Sequence, residues 1–514
     1  MAAAPSIPPV SPAELASGLA VARAHRVAVF VVAYNAEEHI QATLRRIPLE
    51  LRDSLAAIYV IDDRSRDRTQ EQARAVAAEI PGLRVFRTPV NQGYGGNQKL
   101  GYRYAIRERF DVVVLLHGDG QYAPEVLPRL LAPFADADVA AVFGSRMLEP
   151  GAARRGGMPL YKFVGNRILS WLENRLLGTR LSEFHSGYRA YRVAALQRIP
   201  FAKNTSDFHF DTEIIVQLLQ RNLRIVEVPI PTYYGDEICH VNGVGYAFQC
   251  VRTVLTALAN RVHLVYHPKY DVAADGEYQF KQAPNSLHQH VVHAPLAAGA
   301  TVVDLGAGHG GVAGALAARG LRALAVDHRR PPAVPPGVEY LEADLDAGFA
   351  APVLARTQQP VDAVTALDVL EHLAQPERAM AELRQLLRPG GQLLASTGNV
   401  AYLVVRLCLL LGMFNYGKKG ILDLTHKRLF TVRSFCRLLE TNGFRVESVR
   451  GFGPPIRDMV GQSLWWRAVD RVAGWLARVW PRLFAYQMLV VATRLDDIED
   501  ILQRTVASAG EARP

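Results

Sequence analysis

Three short stretches, residues 26–34 (RVAVFVVAY), 56–63 (AAIYVIDD) and 111–120 (DVVVLLHGDG), decide the fold of the first half of the chain. Each is an apolar run that ends in polar side chains, which is typical of a fully buried strand. The segments between them, such as residues 39–51 and 68–80, have helical periodicity. This alternation predicts a parallel sheet covered by helices on both faces, with ligands bound beyond the carboxyl ends of its strands.

A second alternation of strands and helices begins at residues 301–311 (TVVDLGAGHGG) and runs to residues 484–494 (FAYQMLVVATR). We therefore predict the α/β fold class, with two doubly wound domains. The expected boundaries are a disordered N-terminal lead over 1–25, a first domain over 26–268, a linker over 269–285, a second domain over 286–495 and a tail over 496–514.

The composition is that of a globular, basic protein. The chain has 514 residues, of which 49% are hydrophobic and 21% charged, and a formal net charge of +9. Such a charge suits phosphorylated small molecules, an anionic membrane or nucleic acid, but no nucleic-acid-binding module supports the last. The four cysteines form no CxxC pair, and no segment reaches the ~20 apolar residues of a membrane span. We expect a cytoplasmic protein, with peripheral contact to the inner face of the membrane as an open alternative; the oligomeric state stays undetermined.

Polar side chains follow two strands of the first predicted sheet. Tyr34, Asn35 and Glu37 follow the first strand, and Asp62 and Asp63 end the second. Carboxylates at these positions can accept hydrogen bonds from a nucleotide base and from ribose hydroxyls. Capping of the following helices is the alternative interpretation.

The third strand ends in the sequence HGDGQ, in which His117, Asp119 and Gln121 alternate with glycines. These side chains can converge on one divalent cation that bridges a diphosphate. Oxygen ligands suit Mg²⁺ or Mn²⁺, and a histidine favours Mn²⁺.

Together, these motifs resemble the GT-A family 2 glycosyltransferases, specifically the branch that resembles dolichol-phosphate mannose or glucose synthases. The resemblance covers about residues 26–265 and includes VVAYNAEE, VIDDRSRDRT, NQGYGGNQKLGY, HGDGQYAPE, GSRM, GNR and SGYRAYR in family order. It implies that Tyr34, Glu37 and Asp62 lie near the nucleotide, and that Asn91 and Gly93 belong to a loop beside the donor. It also implies that His117, Asp119 and Gln121 bind the metal, although the family more often has aspartate at position 117.

The resemblance extends to candidate phosphate and acceptor residues. Arg146, Arg167 and Arg189 are candidate partners of donor or acceptor phosphates, with an ordinary surface position as the alternative. Asp211 and Glu213, in SDFHFDTEI, are expected to face the site, and one would be the general base if the acceptor is a hydroxyl. A lipid phosphate, already ionised, would need no strong base. Residues 234–247 resemble the family's mobile acceptor loop.

The second half carries a glycine-rich fingerprint after its first strand. Asp304 is followed by Gly306, Gly308 and Gly310, which allow close approach of a ligand to the backbone. The next three strands end near Asp327, Asp344 and Asp368, and acidic residues there can contact the ribose and adenine of an adenosine. NAD binding is the alternative interpretation.

This series resembles the class I S-adenosylmethionine-dependent methyltransferases over about residues 285–495. The acceptor side includes His426, which could deprotonate a hydroxyl. Bracing of the loop by Asp423 and His426 is the alternative. The Trp/Arg-rich residues 463–484 are expected to pack in the core or between the domains, with an interfacial membrane helix as the alternative.

These expectations combine into a bifunctional enzyme. One domain would transfer a sugar from a nucleoside-diphosphate sugar, UDP- or GDP-linked, to polyprenyl phosphate or a glycan, with inversion. The other would use S-adenosylmethionine to methylate a hydroxyl, on the same product in the simplest case. The alternatives are an enzyme acting on a soluble glycan or metabolite, and an active methyltransferase joined to a non-catalytic nucleotide-sugar-binding domain.

Overall fold

The structure, a computed structural model, describes residues 9–232, 242–261, 265–272, 286–455, 464–496 and 500. Two compact units divide the chain. The first unit comprises the chain up to Asn260 together with residues 267–274. The second unit comprises residues 261–266 and the chain from 275 onward. Most of the predicted linker, residues 234–241 of the predicted acceptor loop and most of the predicted tail lie outside the described residues, and residues 243–247 of that loop form the start of the helix Gly243–Arg261.

The first unit is built around a seven-stranded sheet. Its strands are β1 (Val27–Ala33), β2 (Ala57–Asp62), β3 (Leu83–Arg87), β4 (Val112–His117), β5 (Val139–Ser145), β6 (Arg189–Arg192) and β7 (Arg224–Pro229). They lie in the order β3-β2-β1-β4-β6-β5-β7, and only β6 runs antiparallel to its neighbours. Every residue of β1 and β2 is buried, because helices cover both faces of the sheet.

The helices of the first unit are α1 (Pro12–Ala24), α2 (Ile40–Arg45), α3 (Leu49–Arg52), α4 (Thr69–Ala75), α5 (Tyr94–Arg107), α6 (Leu127–Leu131), α7 (Ala152–Arg155), α8 (Leu160–Leu177), α9 (Val193–Gln197), α10 (Phe210–Gln220) and α11 (Gly243–Arg261). The residues of α1 belong to the lead that we expected to be disordered, and that expectation is wrong for them. Ser11 and Glu14 form a capping box, and the Glu14 carboxylate accepts a 2.6 Å hydrogen bond from Arg129. Gly18 lies against the backbone of Pro128, so α1 is a packed helix of this unit.

The second unit contains another seven-stranded sheet. Its strands are β8 (Thr301–Leu305), β9 (Arg322–Asp327), β10 (Val338–Glu342), β11 (Val361–Leu367), β12 (Leu387–Gly398), β13 (Phe444–Phe452) and β14 (Gln487–Arg494). Their order is β10-β9-β8-β11-β12-β14-β13, and β14 is antiparallel to both neighbours. The prediction of two doubly wound α/β domains is confirmed.

The helices of the second unit are α12 (Leu287–Val292), α13 (Gly311–Ala318), α14 (Ala350–Thr357), α15 (Pro376–Leu386), α16 (Leu403–Leu410), α17 (Val432–Thr441), α18 (Leu464–Val479) and α19 (Pro481–Phe484). One side of α18 packs against β13, where Gly451 faces the carbonyl of the buried residue Ala477. Its aromatic side is exposed at Trp475, as is the neighbouring Trp480, so these two rings do not pack in the core of the unit. Within the described residues, no helix combines the length and the apolar character that crossing a membrane requires.

Candidate active sites

The first candidate site lies at the carboxyl edge of the first sheet, where β2, β1 and β4 are neighbours. Asp62 at the end of β2 is in register with Ala33 of β1, and His117 at the end of β4 is in register with Val32. The strand order therefore brings the residues that follow all three strands to one edge. Tyr34, the first residue after β1, is 44% exposed and leaves its ring free for contact at this edge.

Asn35 and Glu37 connect two loops of this edge. Asn35 Oδ1 accepts a 2.9 Å hydrogen bond from the Arg66 N–H, and Glu37 Oε2 accepts one of 2.9 Å from the Arg68 N–H. Asn35 has φ of 47°, a left-handed conformation that asparagine tolerates better than most residues. These two side chains thus hold the loop after β1 against the loop after β2.

Asp62 and Asp63 are both buried, and they have different neighbours. Asp62 Oδ1 accepts hydrogen bonds from Ser65, whereas its Oδ2 lies 3.2 Å from Arg87 Nε and has no hydrogen-bond partner. Asp63 Oδ1 accepts hydrogen bonds from the Thr88 hydroxyl (3.1 Å) and the Gln92 N–H (2.8 Å). Burial raises the pKa of Asp63. Asp63 is therefore a support for the following loop, and Asp62 is a buried carboxylate held between Ser65 and Arg87.

The loop before α5 begins at Asn91. Asn91 donates a 2.9 Å hydrogen bond from Nδ2 to the Asp63 carbonyl, and its Oδ1 accepts one of 3.1 Å from the Gly93 N–H. A Cβ at Gly93 would lie 2.6 Å from the Ser206 carbonyl oxygen, and φ there is 76°. Only glycine fits this turn, which positions the following residue, Tyr94, at the site.

His117 lies against side chains from α5 and from the segment after β4. Its Nε2 lies 3.3 Å from the Tyr94 hydroxyl, which donates a 2.9 Å hydrogen bond to Asp211 Oδ2. Its Nδ1 lies 3.9 Å from Asp119 Oδ2, and the edge of its ring packs against Tyr122. The structure thus brings together two of the three predicted metal ligands. A carboxylate oxygen is a ligand that both Mn²⁺ and Mg²⁺ accept, and the imidazole nitrogen beside it favours Mn²⁺. The two side chains therefore fit either ion.

Gln121 takes part through its backbone. Its N–H donates a 3.0 Å hydrogen bond to Asp119 Oδ1, which fixes the turn after β4. Asp119 is about half exposed, in contrast to the mostly buried His117. This turn leaves Asp119 Oδ2 directed at His117 and accessible from solvent.

Asp211 and Glu213 do not share one site, although we expected both to face it. Asp211 lies next to Tyr94 and also accepts a 3.2 Å hydrogen bond from Gln98. Glu213 instead accepts hydrogen bonds from the Thr205 N–H (2.6 Å) and from Lys269. Successive helical residues are rotated by about 100°, so two residues spaced by two point to nearly opposite sides of α10.

The three predicted phosphate-binding arginines occupy different environments. Arg189 is fully buried, and its guanidinium donates hydrogen bonds to the carbonyls of Ser186 (2.7 Å), Phe184 (2.6 Å) and Asp211 (3.0 Å). It braces the backbone beside the site and lies away from solvent, in contrast to the phosphate contact that the sequence suggested.

Arg146 is also buried. It forms an ion pair with Glu183, and Arg146 Nε lies 3.0 Å from Glu183 Oε1. Arg167 is exposed on α8, where its guanidinium lies over the Phe163 ring. Of the three arginines, Arg167 alone presents its charged group to solvent among the residues that the structure describes.

Gly187 is a site residue that the sequence did not single out, although it lies in the SGYR motif. A Cβ at this position would lie 2.6 Å from His117 Nε2 and 2.9 Å from the Tyr94 hydroxyl oxygen. We expect Gly187→Ala to displace the imidazole and to lower kcat for sugar transfer by about a hundredfold, as misplacement by ~1 Å does elsewhere.

The matched control is Gly165→Ala in α8, because a Cβ there meets nothing within 4 Å. Its kcat should stay unchanged and its melting temperature should be equal or slightly higher. Equal kcat values for the two variants, measured with a saturating donor, would contradict the packing argument.

The second candidate site lies around the glycine turn after β8. Gly306, Gly308 and Gly310 all have positive φ, at 66°, 53° and 74°. A Cβ at Gly306 would lie 2.5 Å from Val369, whereas nothing lies within 4 Å of such an atom at Gly308. The Gly308 N–H donates a 2.8 Å hydrogen bond to Asp327 Oδ2 at the end of β9. The backbone is thus open where a ligand would lie, with a carboxylate beside it, and this fits the adenosine end of S-adenosylmethionine.

The other three predicted carboxylates differ in exposure. Asp304 is buried, accepts a 2.5 Å hydrogen bond from the Thr365 hydroxyl, and has its pKa raised to about 7 by burial. Asp344 is exposed and accepts a 2.9 Å hydrogen bond from the Asp346 N–H. Asp368 Oδ1 accepts hydrogen bonds from Ser396 (2.9 Å) and Gln487 (2.6 Å). Asp304 therefore supports the turn from within, Asp327 is largely buried between Gly308 and His328, and Asp344 faces solvent.

His426 lies close to His372, with ring centroids 4.7 Å apart. His426 Nδ1 lies 3.0 Å from the Ile421 carbonyl oxygen, so Nδ1 carries the proton and Nε2 keeps its lone pair. Burial, followed by the charge of His372, lowers the pKa of His426. Asp423 accepts hydrogen bonds from the N–H (2.8 Å) and hydroxyl (2.7 Å) of Thr425, so it braces the loop.

Glu371 is a buried acid close to Asp368 at this edge of the second sheet. Burial, with a contribution from Asp368, raises its pKa to about 8. The folded protein therefore keeps a proton between pH ~4.5 and ~8 that the unfolded chain releases, and the free energy of unfolding falls as pH rises through that window. We expect Glu371→Gln to raise the melting temperature at pH 8 and to leave it nearly unchanged at pH 4.5.

The exposed Glu440 of α17 provides the control for this titration. Glu440→Gln should shift the melting temperature equally at both pH values. A Glu371→Gln variant that is less stable than the unsubstituted protein at pH 8 would show that the carboxyl is ionised in the fold.

Comparisons with known proteins assign a family to each unit. Residues 28–199 match the family described as "Glycosyl transferase family 2". Over 212 residues the chain is 33% identical to undecaprenyl-phosphate mannosyltransferase of Micrococcus luteus, in a match that covers 40% of this chain and 82% of that protein. The chain belongs to glycosyl transferase family 2. Polyprenol monophosphomannose synthase of Mycolicibacterium smegmatis is 30% identical over 208 residues, which cover 40% of this chain and 76% of that protein.

Residues 277–449 match the family described as "Methyltransferase domain". The chain therefore joins a GT-A glycosyltransferase to a Rossmann-like methyltransferase, and it is a transferase of both classes, as the sequence predicted. Among solved structures, glucosyl-3-phosphoglycerate synthase of M. tuberculosis is 21% identical, with a TM-score of 0.37; the match covers 48% of this chain and 85% of that chain.

Proposed function

We propose that the glycosyltransferase unit transfers a sugar, with inversion, from a nucleoside diphosphate sugar to polyprenyl phosphate, and that the methyltransferase unit methylates a hydroxyl of the lipid-borne product. The observation that carries the first half is the group of His117, Tyr94, Asp211 and Asp119 at the edge where β1, β2 and β4 end. A parallel sheet places its ligand at that edge.

The donor's nucleoside would lie along the ends of β1 and β2. The exposed ring of Tyr34 is available to stack on the base. The buried Asp62 carboxylate, held by Ser65 and Arg87, would support the loop beneath the nucleoside. Asn35, Glu37 and Asp63 hold the surrounding loops in place. Loops fixed in this way bind a nucleotide with little further loss of conformational entropy.

The donor's diphosphate would lie beside β4. His117 Nδ1 and Asp119 would hold Mn²⁺ or Mg²⁺, with Gln121 as a third ligand, and the ion would supply positive charge for the departing nucleoside diphosphate. Tyr94 fixes the other ring nitrogen of His117, so the protein orients the imidazole before any ligand arrives.

The hydrogen bonds of α10 favour a phosphate as the acceptor. A hydroxyl acceptor would need a general base, and Asp211 and Glu213 both already have partners, which are Tyr94 and Gln98 for the former and Thr205 and Lys269 for the latter. A lipid phosphate is ionised near neutral pH and attacks without a base. The relatives from Micrococcus and Mycolicibacterium, named undecaprenyl-phosphate mannosyltransferase and polyprenol monophosphomannose synthase, support the same choice.

Methyl transfer would use S-adenosylmethionine as the donor, bound over the turn at Gly308 and beside Asp327. His426 is the proposed general base, because its Nε2 carries a lone pair and its pKa is lowered, so the ring is neutral at pH 7. Alignment of the hydroxyl opposite the sulfonium would contribute most of the remaining rate enhancement.

Exposed apolar faces on both units support contact with the cytoplasmic face of a membrane. On α8, Leu160, Val164, Ile168 and Trp171 recur on one side and are between 44% and 65% exposed. On α18, Val472, Trp475 and Val479 do the same at 56–64% exposure, and α16 exposes Leu407 and Leu410. Arginines accompany these faces, and such basic, apolar helices bind anionic bilayers.

The test of this proposal supplies labelled UDP- and GDP-sugars with Mn²⁺ to the whole protein. Undecaprenyl phosphate in anionic vesicles is the acceptor, and undecaprenol in the same vesicles is the matched control that lacks the phosphate. We expect label in the lipid phase with the phosphate only, followed by a mass increase of one methylene after addition of S-adenosylmethionine.

Other results would select an alternative. Transfer to a free glycan and not to the lipid would establish a soluble acceptor. Nucleotide-sugar binding without turnover, together with active methylation, would establish a sensor domain joined to a methyltransferase.

A further inference from the structure

A second cluster of ligand-type side chains lies in the glycosyltransferase unit, apart from the His117 site. It consists of Glu173 on α8, His185 in the segment before β6, and Cys250 on α11, and we name it the Glu173 cluster. One ligand atom from each residue lies within 4.8 Å of the other two. Glu173 and Cys250 are fully buried and the His185 side chain is 8% exposed, so the cluster is an interior feature.

Two of the three candidate ligand atoms are buried without a hydrogen-bond partner. Glu173 Oε2 and His185 Nε2 are sheltered from solvent and lie 3.1 Å apart, which is ion-pair distance if the imidazole carries a proton. A buried carboxylate needs a compensating positive charge, which either a proton on His185 or a metal ion can supply. Their separation of 3.1 Å is slightly shorter than the roughly 3.3–3.6 Å between two ligands of a tetrahedral Zn²⁺, so a small shift of either side chain would admit the ion beside Cys250.

The surrounding residues hold the cluster in the way that outer-shell residues hold metal ligands. His185 Nδ1 lies 3.0 Å from the Tyr246 hydroxyl, which fixes the ring and leaves Nε2 for the cluster. The Thr212 hydroxyl lies 3.5 Å from Glu173 Oε1 and 3.3 Å from Cys250 Sγ. The carboxylate, the imidazole and the thiol are thus each held in position by the fold.

We propose that Glu173 Oε2, His185 Nε2 and Cys250 Sγ bind a Zn²⁺ ion. Thiolate and imidazole ligands favour Zn²⁺ over the Mg²⁺ and Mn²⁺ that suit the oxygen-rich His117 site, so the two sites select different ions. The ion ties α11 to α8 and to the segment before β6. Thr212 is next to Asp211, so the zinc site also stabilises the helix turn that supports Tyr94 and His117.

The competing structure is a metal-free ion pair. Burial alone lowers the pKa of His185, but the neighbouring Glu173 carboxylate and Cys250 raise it to about 10. Without an ion, the imidazole would therefore keep a proton and pair with Glu173. The two structures differ in metal content and in the state of Cys250, and both can be measured without any assay of sugar transfer.

The experiment uses the full chain, purified without an affinity tag that binds metals and without chelators. Elemental analysis should find about one Zn²⁺ per chain, and growth with Co²⁺ should give the near-ultraviolet thiolate-to-cobalt absorption of a cysteine-bound ion. Cys250→Ser should abolish that absorption, whereas Cys408→Ser in α16, outside the cluster, should keep it.

If Cys250→Ser fails to fold, the cobalt spectrum of the unsubstituted protein still distinguishes a zinc site from a metal-free ion pair. A protein with no bound zinc and no thiolate-to-cobalt band would establish the ion pair and overturn the proposal. Zinc that remains at the same stoichiometry in a folded Cys250→Ser protein would also overturn it, because the ion would then lie elsewhere.

Discussion

Asp119→Asn lowers kcat for sugar transfer by about a hundred- to a thousandfold and leaves methyl transfer unchanged. This expected result follows from the position of Asp119, whose Oδ2 lies 3.9 Å from His117 Nδ1 at the end of β4. The amide has nearly the shape of the carboxylate but lacks its charge, so the proposed ion would be held weakly. Loss of one group that stabilises developing charge costs rates of this size in other enzymes.

The matched control is Asp138→Asn, an exposed residue of the same unit just before β5. It should keep both activities. The measurement follows labelled lipid product and labelled methyl product in parallel for both variants, with Mn²⁺ raised over a wide range.

Two outcomes would count against the assignment. Unchanged sugar transfer in Asp119→Asn would remove this carboxylate from the site. A parallel loss of methylation would show that the substitution disturbs the whole fold. Partial rescue of sugar transfer by high Mn²⁺ would support the assignment, because it would show that the defect lies in ion binding.

The second large effect is expected at Asp327. Its Oδ2 accepts the 2.8 Å hydrogen bond from the Gly308 N–H, at the turn where the backbone is open. We expect Asp327→Asn to weaken binding of S-adenosylmethionine and of its product S-adenosylhomocysteine by about a hundredfold, since charge-assisted hydrogen bonds contribute roughly 1.5–3 kcal/mol each.

Calorimetric titration with S-adenosylhomocysteine checks this prediction without a methyl acceptor. Glu339→Gln, an exposed carboxylate-to-amide change on β10, should bind the ligand as the unsubstituted protein does. Equal affinity of Asp327→Asn and Glu339→Gln would place the ribose elsewhere. Sugar transfer should be unaffected in both variants, which separates the two units.

Much of the architecture could be predicted from local patterns. Apolar runs such as residues 27–33 and 57–62, separated by amphipathic segments, are enough to indicate parallel sheets. Because parallel strands end at one edge, polar residues at the carboxyl end of a strand, such as Asp62 and His117, can be assigned to that edge. The lead over residues 12–24 was missed, because its stability depends on packing against Pro128 and Arg129.

Local sequence patterns do not predict the direction in which a side chain points or the contacts between distant parts of the chain. The motif around Arg189 predicts that its guanidinium binds a phosphate. In the fold, the guanidinium instead donates hydrogen bonds to three backbone carbonyls. Asp211 and Glu213 were assigned together, but the helix rotates one towards Tyr94 and the other towards Lys269.

The sequence by itself determined two transferase domains and the strand ends that carry their candidate residues, because burial and chain direction follow from local periodicity. Only the tertiary structure decided that Gly187 makes room for His117, and that Glu173, His185 and Cys250 meet. These residues come from separate helices and connecting segments. No local pattern records such contacts, because they exist only once the helices have packed against the sheet.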